Sequence, residues 1–113
     1  MRTVDVDRGI QAAPELSALV RRANEFLESQ LGRSSKLVSA TWRLLRDDRE
    51  SSHVRLEVSD QTGRVEAVFT PDDLKNEWQM QGRIIRLWGD LLQIRSHREI
   101  EELLGVPTAA EGV

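Results

Sequence analysis

With 113 residues, no cysteine, two histidines and a formal net charge of −3, the chain is expected to form one domain around one modest core, with no disulfide and no thiolate chemistry. No apolar run approaches bilayer-crossing length and no hydrophobic signal segment opens the chain, so a cytoplasmic location is expected. The charge deficit is local: Glu99, Glu101, Glu102 and Glu111 follow the last basic residue, Arg98, while upstream of them arginines and carboxylates nearly balance. Interleaved charge of this kind reads as solvated surface rather than as a nucleic-acid patch.

Residues 1–13 show no helical periodicity, and Thr3-Val4-Asp5-Val6-Asp7 alternates too briefly for more than a short edge strand, so this segment is expected to be a flexible arm. Pro14 opens a helix in which Leu16, Leu19, Val20, Ala23, Phe26, Leu27 and Leu31 recur at three- and four-residue spacing, with Gly32 placed for a left-handed C-cap. After the loop Arg33-Ser34-Ser35, alternation from Val38 to Leu44 predicts a first strand that turns Trp42 inward. The polar run from Asp47 to Ser52 then leads into a hairpin. Its strands are His53–Ser59 and Arg64–Phe69, and Asp60-Gln61-Thr62-Gly63 is the turn, with Gly63 expected at positive φ. That loop length pairs Ser59 with Arg64, Val58 with Val65, Leu56 with Ala67 and Val54 with Phe69.

Thr70-Pro71-Asp72-Asp73 has the make-up of a helix start: a capping hydroxyl, proline in the first turn, and carboxylates where the helix dipole is positive. From Arg83 to Ile94 the apolar residues Ile84, Ile85, Leu87, Trp88, Leu91, Leu92 and Ile94 fill one half of a helical wheel, which predicts a helix in spite of Gly89. Ser96-x-x-Glu99 predicts a capping box that restarts a final helix, ended by Gly105 and Pro107, with a disordered tail over 106–113.

These elements make an α+β domain over residues 14–105, a three-stranded antiparallel meander with an N-terminal helix and C-terminal helices on one face, in the order α-β-β-β-α-α. The order resembles that of double-stranded-RNA-binding domains. That family opens its second helix with a lysine-rich run that grips phosphate, whereas Thr70-Pro71-Asp72-Asp73 would repel it, so the likeness carries no function. A second reading takes residues 36–96 as similar to an oligonucleotide/oligosaccharide-binding (OB) barrel. Asp60-x-Thr62-Gly63 then sits in the second hairpin, and Trp78-x-Met80-x-Gly82-x-Ile84 and Leu91-Leu92-Gln93-Ile94 are the closing strands.

The inventory of reactive groups is sparse. His53 and His97 stand far apart in the sequence, neither in a zinc spacing, and no phosphate-binding glycine loop or nucleophile elbow occurs. No enzymatic activity, cofactor or metal is expected. The principal expectation is a non-enzymatic protein-interaction or self-assembly module. The alternative, tied to the barrel, is single-stranded nucleic-acid binding, with Trp42, Phe69, Trp78 or Trp88 stacking on bases and Arg43, Arg55, Arg83, Arg86 and Arg95 meeting phosphates. Self-association follows from area. Three strands make a sheet about 14 Å wide, while two helices side by side need about 20 Å. Some of Leu19, Phe26, Leu27, Trp88, Leu91 and Leu92 should therefore overhang and form the face of a homodimer.

Overall fold

The computed structural model describes residues 1–46 and 52–105; the polar connector over 47–51 and the tail over 106–113 lie outside them. The hairpin is the part of the fold that local chemistry determines most completely. Strands β3 (Ser52–Ser59) and β4 (Arg64–Phe69) pair antiparallel with Ser59 opposite Arg64, Val58 opposite Val65, Leu56 opposite Ala67 and Val54 opposite Phe69, as the turn length requires. Asp60 closes that turn by accepting the N–H groups of Thr62 (2.7 Å) and Gly63 (3.2 Å). Gly63 does not adopt positive φ. A Cβ there would lie 3.1 Å from Cγ2 of Ile94, so glycine lets the last helix approach the turn.

Among the described residues the sheet has four strands, not three, in the order β1-β2-β3-β4. Strand β1 (Thr3–Val6) lies parallel to β2 (Ser39–Arg46), pairing Thr3 with Ser39 through Val6 with Trp42. The expected arm is thus part of the fold. A parallel pair needs a long crossover, which is supplied by a short helix α1 (Arg8–Gln11), by α2 (Pro14–Leu31) and by a 3-10 turn over Gly32–Leu37. Asp7 joins these parts. Its carboxylate caps α1 through the N–H of Gly9 (3.0 Å) and reaches across to the N–H of Leu44 in β2 (3.1 Å). Ile10, one turn into α1, is fully buried. Gly32 ends α2 at φ 55°, outside the left-handed helical well that the sequence suggested.

After β4, Thr70 and Asp73 form a reciprocal capping box for α3 (Pro71–Lys75), and Asn76 caps α4 (Glu77–Leu104) by accepting the N–H of Gln79. Helix α4 runs unbroken for 28 residues, about 42 Å at 1.5 Å per residue. The expected helix over 83–94 and the restart at Ser96 are therefore one element, because extending an existing helix costs far less than nucleating another. Gly105 ends it in the left-handed conformation. The OB reading is overturned with this helix: residues 77–94 are helical rather than closing strands, and the sheet is open, not a barrel.

The helices lie on one face of the sheet. Val38, Ala40, Trp42, Val54, Leu56, Val58 and Phe69 from that face meet Ile10, Val20, Ala23, Leu27, Leu31, Leu74, Met80, Ile84, Leu87 and Leu91 from the helices. Trp42 and Phe69 sit at its centre with ring centroids 6.1 Å apart. Among the described residues no polar or charged residue is buried as a whole, although the Asp60 side chain, held by Arg95, is only 3% exposed. The other face carries Thr41, Arg43, His53, Arg55, Glu57, Arg64, Glu66 and Val68, as alternation predicts. Glu57 and Glu66 are directly opposed, and the diagonal Arg64 relieves them at 3.4 Å from Glu57.

Candidate interaction surface

The fourth strand changes the area argument. With β1 in place the sheet is about 19 Å wide at 4.8 Å per strand, close to the width of two helices side by side. Leu27 and Leu91 are accordingly fully buried, while Leu19, Phe26 and Trp88 are partly buried against the core. Trp88 is further covered by the guanidinium of Arg95, 5.4 Å from its ring centroid. Of the six side chains some of which were expected to overhang, Leu92 alone is exposed, at 38%.

The longest run of exposed apolar side chains lies along α4, on the side opposite its core-facing residues, and Trp78 at its start also borders the groove beside β4. Trp78 is 83% exposed and Ile85 52%, and with Leu92 they recur every seven residues, so they share one stripe about 130° around the helix from the buried Met80, Ile84, Leu87 and Leu91. Gly82, Gly89 and Ser96 alternate with them along the same stripe. Sequence reasoning passed over Ile85 as an interface residue because it assigned every apolar residue of 83–94 to a single face, and Trp78 because it began the helix at residue 83 and placed Trp78 only in the barrel reading. The seven-residue recurrence was the signal that separates the two faces. Toward the C-terminus, Ile100, Leu103 and Leu104 are also exposed, where a helix of about 42 Å outruns strands of about 27 Å.

Of the residues of the nucleic-acid alternative, Trp78, Arg83 and Arg86 come together beside β4 and the rest are set apart. Trp42 is fully buried and donates its indole N–H to Oδ1 of Asn24 (3.0 Å), and Phe69 is fully buried as well. Arg43 and Arg55 oppose each other on the open sheet face. Arg83 donates to the carbonyl of Val68 (2.9 Å), lies 3.6 Å from Asp73 and covers Phe69. Arg86 lines a shallow groove of about 530 Å³ between β4 and α4 together with Trp78, Arg83 and the carboxylates Glu66 and Asp90. Arg95 is held by Asp60 at 2.7 Å. No aromatic face is presented among basic groups on the open face of the sheet; the exposed Trp78 meets Arg83 and Arg86 only in the groove beside β4, where Glu66 and Asp90 offset their charge, and the barrel that would have grouped all of these residues does not form. His53 lies on the open sheet face and His97 on α4, where it pairs with Glu101 at 3.1 Å. Among the described residues no cluster of three or more metal-ligating side chains occurs, and no helix is long and apolar enough to cross a membrane.

Three carboxylates fasten the elements that carry this surface. Hydrogen bonds from the backbone of Gly9 and Leu44 hold the Asp7 carboxyl below its ordinary value. Burial alone would raise Asp60, but hydrogen bonds from Thr62 and Arg95 and the charge of Arg95 outweigh it and lower the value. Asp73 is lowered by the backbone N–H and hydroxyl of Thr70 and by Arg83, against a smaller effect of burial. Since the folded values lie below the unfolded one near 3.8, the unfolded state binds more protons in acid. The stability these groups contribute is present above that value and lost as pH falls through the folded values. The urea midpoint should be level above about pH 5 and fall steadily below about pH 4, with a shallower fall in Asp60→Asn; an acid-insensitive midpoint would contradict this assignment.

No protein family, curated protein or solved structure matches the chain.

Proposed function

We propose that this is a non-enzymatic protein-interaction module that self-associates as a homodimer through the outward side of α4. The observation that carries the reading is the stripe of Trp78, Ile85 and Leu92, large apolar side chains left in water on an element whose other side already fills the core. Water-exposed apolar surface gathered in one place on a folded domain marks a contact surface more often than it marks packing. A wholly apolar core and histidines set apart on different elements support a role without catalysis. The absence of cysteine suits a reducing compartment such as the cytoplasm.

Sedimentation equilibrium at micromolar concentration tests the reading. The expected mass is above that of the 12.9 kDa chain and returns to it in the double variant Ile85→Lys/Leu92→Lys, which keeps its circular dichroism. A parent chain that remains at 12.9 kDa throughout the concentration range would refute the homodimer.

A further inference from the structure

Two glycines in α4 have no use within a single copy. Gly82 and Gly89 have ordinary helical backbone rather than positive φ, and a Cβ added at either would meet nothing within 4 Å. Glycine inside a helix is unfavourable against alanine, and here neither a turn nor a close neighbour within the chain explains it. Both lie on the exposed stripe, each between two of the large side chains Trp78, Ile85 and Leu92. Small residues at such positions allow a second helix to come close and give its large side chains somewhere to sit.

We infer that the stripe is a self-complementary seam, and that two copies of α4 pack antiparallel across a two-fold axis level with Leu87. This rests on the reading of the chain as a homodimer and gives that dimer its orientation and register. In this register Ile85 of one copy lies over Gly89 of the second copy, Leu92 over Gly82, and Trp78 over Ser96. Each pair is centred on Leu87, so the two-fold axis repeats all three. A parallel pair in register would instead stack Trp on Trp, Ile on Ile and glycine on glycine, with bulges alternating with voids. Shifting the antiparallel pair by one heptad in either direction places only two of the three large residues over small ones. A two-fold contact requires a patch that complements itself, and this register satisfies the requirement at every large residue of the stripe.

Two measurements test the register. Gln79→Cys supplies the only thiol in a chain without cysteine for a spin label beside the seam. Antiparallel packing sets the two labels about 25 Å apart, because Gln79 lies level with residue 95 of the other copy. Parallel packing in register brings them to about 10 Å. The second measurement is an exchange of knob and hole. Gly89→Ile alone should weaken dimerisation about 30-fold or more, as should Ile85→Ala, while the combined variant Ile85→Ala/Gly89→Ile restores affinity to within about tenfold, since the isoleucine introduced in each copy then sits over the alanine introduced in the other. Unchanged helicity by circular dichroism shows that the single variants still fold, as the open space at Gly89 predicts. Labels at the shorter distance, or a combined variant as weak as the singles, overturn the register while leaving the homodimer in place. A parent chain that stays monomeric overturns the homodimer itself.

Discussion

Deletion of residues 1–11 is expected to leave a chain that no longer unfolds as one cooperative unit. The deleted segment looks expendable in sequence, yet it supplies the β1 ladder, the backbone bonds from Arg2 to Val38 (2.9 Å) and from Asp7 to Trp42 (2.9 Å), and the fully buried Ile10. Replacing Ile10 alone by alanine should cost about 2–5 kcal/mol, against a total stability of about 5–15 kcal/mol for a domain of this size. Loss of the whole segment also uncovers one edge of β2 and narrows the platform under α2. Urea unfolding followed by circular dichroism, with Ile10→Ala as the intermediate step, checks the prediction. A truncated chain with the parent's midpoint would show that β1 contributes nothing to the fold.

Trp42→Ala is expected to be about as damaging, at about 3–5 kcal/mol. Trp42 is the largest fully buried side chain; it touches Phe69 across the sheet and its indole N–H is satisfied by Asn24 of α2, so it ties the sheet to the helix above it. Truncation leaves both a cavity and an amide oxygen without its donor. Trp42→Phe separates these effects, since it fills most of the volume but cannot donate, and it should cost about 1–3 kcal/mol. Midpoints from urea unfolding at neutral pH give both values. Equal losses for the two variants would assign the effect to the hydrogen bond rather than to the volume.

How far the sequence foretold this molecule depended on how local each signal was. The β3–β4 register, the inward turn of Trp42, the bounds of α2 and the helix cap at Thr70 are set by residues a few positions apart, and each appears where the local chemistry put it. Strand β1 was missed because its partner β2 comes only after two helices, and an edge strand of four residues with Val4 42% exposed carries little apolar alternation. At Ser96 the capping box was a true local pattern overridden by a helix already under way. The interaction surface was legible only in part. Leu92 was among those named, but Ile85 was hidden by the assumption that one helix has one apolar side and Trp78 by a helix start placed at residue 83, and with the extra strand Leu27 and Leu91 are buried rather than overhanging.

The mixed sheet also sets an order of assembly. Strands β3 and β4 close over a turn, whereas β1 must wait for β2, some thirty-five residues downstream. Confining a loop of about 35 residues costs about 2 kcal/mol more chain entropy than confining one of about four, and β1 recovers that cost only once α1 and α2 have packed beneath it. The first strand to be synthesised is thus the last with a reason to dock. Until it does, β2 presents an unpaired backbone edge next to Trp42, and the nascent domain is at its most adhesive during that interval.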